Sequence, residues 1–305
     1  MNAILYALVV LIFGTTWIAI AVQQGEMSSV VAVFWRFCIA GLVLFLGLIV
    51  LKRLKKLTLE DHLFCVLQGF CVFSLNFICF YTAVEFINSG LESVIFSLAV
   101  IFNAINSYLF FKQRISIYFI PAMACGVVGV LALFWHDLTA THIDWKTILA
   151  ILLCMLGTYG FSLGNMISLR HQRKGCDVLT TNAYGMLYGA GIMLVITLTK
   201  GETFFAHTSW VAISAVGYLA IVGSVIGFSI YFVLVGRIGA GQAAYSTLLF
   251  PLVALTISTF WENYQWTLSA GLGVVLILFG NFILFYQPQW VANSFKRLKI
   301  FHLHQ

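Results

Sequence analysis

Charge is what this chain has least of. Lys, Arg, Asp and Glu together make up 9% of its 305 residues, where a soluble domain carries about a quarter. That excludes an ordinary soluble core. Proline is scarce at three residues, which excludes a Pro-rich linker or disordered chain. The seven cysteines, Cys38, Cys65, Cys71, Cys79, Cys125, Cys154 and Cys176, are odd in number and show no CxxC or Cys/His spacing. Neither a disulfide framework nor a metal site is supported, and no cofactor is expected. There is no GxxxxGK[ST] phosphate loop, so direct ATP hydrolysis is unsupported. Short alternating segments, the mark of a strand barrel, are also missing.

What fills the chain instead is apolar sequence, 62% of residues with a mean hydropathy of +1.01. A helix needs about 20 apolar residues to cross a bilayer. Ten runs approach or exceed that length, at roughly 3–22, 29–51, 62–83, 89–111, 117–135, 147–169, 178–199, 209–233, 239–261 and 268–287. The first lacks the basic start of a signal peptide and is long enough to span, so it reads as a membrane helix. The net charge of +6 sits in the connections. It therefore reports topology rather than nucleic acid. With the N-terminus in the cytoplasm, thirteen of the sixteen basic residues fall inside, in "KRLKK", "KQR", "RHQRK", Arg237 and "KRLK", and only Lys146 and Lys200 fall outside. Both termini are expected in the cytoplasm, with a multi-pass chain in the inner (plasma) membrane.

Ten spans divide into two sets of five. Because five is odd, related halves would insert in opposite senses, a recurrent plan of transporters. "YTAVEFINSGLESVIFSLAV" (81–100) parallels "YFVLVGRIGAGQAAYSTLLF" (231–250), and "GTTW" (14–17) parallels "GTYG" (157–160). The internal match alone leaves a repeat and coincidental hydrophobic similarity both open.

The stretches "FGTTWIAI", "FWRFCIAGLVL", "LNFICFYTAVEFINSGLESVIFSLAVIFNAINSYLFFKQRIS" and "AAYSTLLFPLVALTISTFWENYQWT" resemble the EamA-like family of the drug/metabolite transporter superfamily. The resemblance covers nearly the whole chain. It implies an all-α membrane protein of ten helices in two inverted five-helix repeats, and efflux or exchange of small polar metabolites. On this division, residues 1–137 form the first repeat, 146–288 the second, and 289–305 a basic cytoplasmic tail. The family often closes the fourth and ninth helices with a glutamate. Glu262 fits, but Lys112 or Gln113 stands in the first half.

One charge breaks the apolar pattern. Arg36 lies six residues into the second run, about 9 Å deep. An arginine at a helix centre costs about 2.5–3.5 kcal/mol to insert. Two readings stand: it meets protein or a wet cavity, with Glu92 of the fourth run as partner, or it snorkels to the outer headgroups. Glu92 is also the one carboxylate within a span, a candidate for proton coupling. Asn76, Asn103, Asn106, Asn165 and Asn182 lie inside runs and Gln242 near the start of one. Each amide must find a partner, either a substrate or another helix. Trp17, Tyr81, Tyr159, Tyr184 and Tyr245 lie beside polar breaks and are candidates for an aromatic pocket wall. The candidate substrate-binding set is therefore Trp17, Arg36, Asn76, Tyr81, Glu92, Asn103, Tyr159, Asn165, Tyr184 and Tyr245. "GFSLG", "GMLYG" and "GSVIG" fit GxxxG and suit close helix contacts within a monomer or across a homodimer. "WHDLTATHID" reads as a solvated loop.

These residues point to a secondary transporter of small polar or amphipathic, amino-acid-like metabolites, with export by proton antiport or exchange. Its expected partners are a small-molecule substrate and membrane lipids, not nucleic acid. A lipid or lipid-carrier flippase is the alternative. A membrane enzyme would need a His/Asp or carboxylate constellation at one face, and none stands out.

Overall fold

The computed structural model describes residues 2–23, 26–83, 85–87, 89–140, 144–204, 209–261 and 266–297. These are almost entirely helical. The apolar runs become a first helix Asn2–Gln23, a second Ser29–Val50, a third Leu59–Ala83 and a fourth in two pieces, Ser89–Ser97 and Ala99–Phe111. The fifth is Phe119–Leu133, the sixth Trp145–Arg173, the seventh Val178–Thr199 and the eighth Trp210–Ile238. The ninth runs from Ala240 to Trp261 through a tight 3-10 turn at Tyr245–Leu249, and the tenth is Leu268–Tyr286. Among the described residues nine helices are long and apolar enough to cross a membrane. Phe119–Leu133 is apolar but shorter, at 15 residues. A helix Gln289–Arg297 follows the tenth.

The starts of the helices follow from residues that apolar run lengths do not weigh. Ser28, Thr58, Asp144, Asp177, Ser209 and Thr267 each cap a helix by accepting a hydrogen bond from the N–H three residues on. Such a cap satisfies a donor that the helix itself leaves open. Gly239, at φ 87°, turns the chain between the eighth and ninth helices in a region that disfavours a side chain.

Packing follows a rule. The second helix packs on the seventh, the fifth on the tenth and the fourth on the ninth. The third packs on the sixth and seventh, and the eighth on the first and second. The sixth also contacts the fourth, and the first the ninth. Exchanging each helix in these pairs with the one five places away returns the same pairs; the eighth also packs on the sixth and ninth, contacts that the third does not match. Local features recur too. The third helix widens into a π-helical turn at Cys71–Leu75 and the eighth at Leu219–Phe228. The Ser74 hydroxyl donates to the Gly69 carbonyl, and the Ser224 hydroxyl, 150 residues on, donates to Leu219. The interruption of the fourth helix at Leu98 and the 3-10 turn of the ninth fall at matching places.

Large apolar side chains such as Leu46, Leu109, Leu152, Val195 and Phe260 point outward, as a lipid-facing surface requires. The interior is closed by small residues. Gly160 and Gly164 meet the third helix, Gly185 meets Phe73, Gly189 meets Phe73 and Gly69, and Gly223 and Gly227 meet the first. The GxxxG pairs thus serve contacts within the monomer. The fifth and tenth helices touch backbone to backbone: a Cβ at Gly129 would stand 2.8 Å from the Gly273 oxygen, and one at Gly273 2.5 Å from the Gly129 oxygen. Gly129→Val is therefore expected to cost about 1–3 kcal/mol by overpacking. Gly271→Ala, where nothing lies within 4 Å, is expected to be neutral or slightly stabilising. Thermal unfolding in detergent, followed by tryptophan fluorescence, compares the two.

Candidate functional site

Polar side chains gather inside the bundle at two levels. The first surrounds Arg36, which is 4% exposed. Its Nε donates to the Ser224 hydroxyl at 2.9 Å, and its guanidinium lies 5.0 Å from the ring centre of Phe77 and 5.3 Å from that of Phe37. A desolvated cation over aromatic faces gains up to about 2 kcal/mol. The π-helical turn of the eighth helix sets Ser224 in place. Gln23, buried at the end of the first helix, donates through Nε2 to the Tyr81 hydroxyl at 3.1 Å. The Tyr81 ring centre lies 6.5 Å from that of Phe77, one of the two rings under Arg36. Glu92 is buried, and its Oε1 has no hydrogen-bond partner; neither does Oε1 of Gln23.

The expected Arg36–Glu92 contact is not formed. Among the described residues, every ion pair joins Glu60 or Asp61 to Arg170 or Lys174. Arg36 does not snorkel either, because Ser224 and two phenyl rings hold it inside. The π-turn of the eighth helix aims the Ser224 hydroxyl at Arg36, so the guanidinium finds its partner there and not in Glu92.

The second level is an amide cluster. Asn165 Nδ2 donates to Asn103 Oδ1 and to the Tyr231 hydroxyl, each at 3.0 Å. Asn103 in turn donates to the Ala99 carbonyl beside the break in the fourth helix. Asn106 donates to Ser162, and Asn182 to Ser229. Phe161 stacks on Tyr231 at 5.6 Å. Asn165 Oδ1, Asn182 Oδ1 and Asn76 Oδ1 remain buried without partners. Unmatched acceptors of this kind are costly in an apolar interior.

The remaining candidates separate. Tyr159 is 39% exposed against Phe102. It belongs to the outer surface and not to a pocket wall, because its helix turns that face outward. Tyr245 is fully buried and donates to the Ala122 carbonyl at 2.9 Å, packing the fifth helix against the ninth. Tyr184 sits with Phe45, His62 and Tyr188 near the start of the seventh helix, apart from both polar levels. Trp17 is on the first helix, but its side chain lies outside the described residues, as does Glu262.

Two contacts near the helix ends had no signal in a single run. Arg170 and Lys174, at the end of the sixth helix, bind Glu60 and Asp61 at the start of the third. Those carboxylates hold the Lys174 ammonium above its usual range, Glu60 foremost. Glu26, after the first helix, accepts from the Ser209 N–H at 2.7 Å and its hydroxyl at 2.8 Å. These bonds hold the Glu26 carboxyl below the usual carboxylate range, the hydroxyl contributing most. A motif search could have paired Thr58 with Asp61 as a cap, but not with a cation 110 residues away.

A model of the EamA-like transporter family matches residues 1–135 and again residues 148–286. The chain belongs to that family. This EamA-like protein is a multi-pass membrane transporter and not an enzyme. It is 24% identical over 277 residues to the uncharacterized transporter YoaV of Bacillus subtilis, covering 90% of this chain and 93% of that one. It is 26% identical to the protein PagO of Salmonella typhimurium over 92% of this chain and 91% of that one. A protein of Escherichia coli named "Probable amino-acid metabolite efflux pump" is 22% identical over 95% of this chain and 96% of its own. A solved crystal structure overlays at TM-score 0.77 with 12% identity, over 95% of this chain and 98% of that one, which establishes likeness of fold.

The amide cluster makes a non-additive prediction. Asn165→Leu strands Asn103 Oδ1 and is expected to cost about 1–3 kcal/mol. Adding Asn103→Leu removes the stranded group, so the double variant loses less than the sum of the two single losses. Melting temperatures of the four proteins in one detergent decide it.

Proposed function

We propose that this protein is a secondary transporter that exports small polar or amphipathic, amino-acid-like metabolites by alternating access. On this reading the chain crosses the inner membrane ten times, with both termini in the cytoplasm. Residues 1–137 and 146–288 are repeats inserted in opposite senses, and 289–305 is a basic tail. The exchange symmetry of the helix neighbours supports the inversion, since five crossings per half reverse the sense of the second. A relative in Escherichia coli carries the name inner membrane transporter YedA, which supports the location.

The observation that carries the reading is Arg36 on Ser224. A buried guanidinium has no carboxylate among the described residues within ion-pair distance. Glu92, on the fourth helix, is buried as well, and its Oε1 is unmatched. A cation without an anion and an acceptor without a donor suit a substrate that carries both. The Arg36 guanidinium takes a carboxylate, and Glu92 takes an amine or, in its absence, a proton. That gives Glu92 a role in antiport. Asn103, Asn165 and Asn76 line the path beyond, where rearranging amides exchange partners at small net cost.

The test is counterflow of labelled amino acids in proteoliposomes. At least one zwitterionic amino acid is expected to exchange, and Arg36→Ala to slow exchange by about 10- to 100-fold, the loss of one charge-assisted hydrogen bond. Lipid scrambling without amino-acid exchange would replace this reading with a flippase.

A further inference from the structure

The two end contacts join corresponding helix ends in the two halves. Exchanging each helix with its counterpart five places on turns the third and sixth into the eighth and first. Ser209, which caps the eighth helix and binds Glu26, stands 151 residues after Thr58, which caps the third beside Asp61. Both caps engage the N–H three residues on. Counted along the chain, with alternate connections on opposite sides, the ends holding Glu60, Asp61, Arg170 and Lys174 lie together at one face. The ends holding Glu26 and Ser209 lie at the other.

From this geometry we infer that these contacts are paired latches: Glu60 and Asp61 with Arg170 and Lys174 close the transport path at the cytoplasmic face, and Glu26 with Ser209 closes it at the outer face. The inference rests on the alternating-access reading above. Both latches are formed in this structure, and Arg36, Glu92, Asn103 and Asn165 are all buried. The outer latch is wired to the candidate site. Glu26 N–H donates to the Gln23 carbonyl, and the Gln23 side chain donates to Tyr81 beside Arg36. A substrate that moves Tyr81 therefore pulls on the turn that holds Glu26. The inner latch is wired through the sixth helix, which carries Asn165 five residues before Arg170. The latches differ in chemistry. The inner one matches two carboxylates with two cations, and Asp61 also accepts from Thr58 at 2.6 Å. The outer one sets one carboxylate against a hydroxyl and an N–H. Each is an interaction that a few ångströms of helix movement would break without unfolding either end.

The experiment needs no substrate. A single cysteine at Ala220, one turn from Ser224 and fully buried, reports opening in a background without the native cysteines. A membrane-impermeant maleimide is added to right-side-out or inside-out vesicles. Glu26→Ala is expected to speed labelling from outside by roughly two- to fivefold, the scale on which such exposed contacts shift an equilibrium, and to leave inside labelling unchanged. Lys174→Glu is expected to do the reverse. The swap Glu60→Lys with Lys174→Glu restores the original inside rate, which a protein that had lost its fold could not do. Equal acceleration from both faces, no change in either variant, or no recovery in the swap would overturn the latches. Acceleration from one face only, but the wrong one for each variant, would keep the latches and overturn the orientation proposed above.

Discussion

A guanidinium or an amide inside hydrocarbon has no water to turn to. Whatever polar surface these helices carry inward must be met by polar surface on their neighbours. That constraint organises the interior. Arg36 would be expensive against lipid. It is accommodated because a π-helical turn, itself a departure from regular geometry, presents the Ser224 hydroxyl at 2.9 Å. Turns of this kind cluster at functional positions because they loosen the helix where side chains must be aimed. The counterpart in the third helix aims Ser74 at the Gly189 carbonyl of the seventh at 3.1 Å, so the two halves use one device on different partners.

Satisfaction is incomplete, both in the middle of the bundle and at Gln23, Gln68, Gln113 and His171. Glu92, Asn76, Asn165 and Asn182 each keep a buried oxygen without a donor. In a protein kept only for stability such groups would be a liability. On the transporter reading proposed above, a polar solute would supply the donors these oxygens lack. At the ends of the bundle the carboxylates of Glu60, Asp61 and Glu26 are engaged.

Much of this was legible in the sequence, for identifiable reasons. Run length in an apolar chain fixes helices to within a few residues, and only the fifth fell short in length. Buried amides and Arg36 had to turn inward on cost alone, and they do. The π-turns left no trace, since a serine in an apolar run has no periodicity of its own. Tyr159 was misassigned because the helix face that meets lipid cannot be told from one that meets protein when both are apolar. The Glu60 and Asp61 ion pairs were missed because the basic segment 170–174 reads equally well as a topological signal, and its partners lie 110 residues away.

On the proposed reading, two equivalent halves enter the membrane in opposite senses around a shared polar interior. The most direct test is the sidedness of the matched caps. Single cysteines at Thr58 and Ser209, probed with a membrane-impermeant reagent in sealed vesicles of known orientation, are predicted to react from opposite faces, Thr58 from the cytoplasm and Ser209 from outside. Reaction of both from the same face would rule out opposite insertion of the two halves.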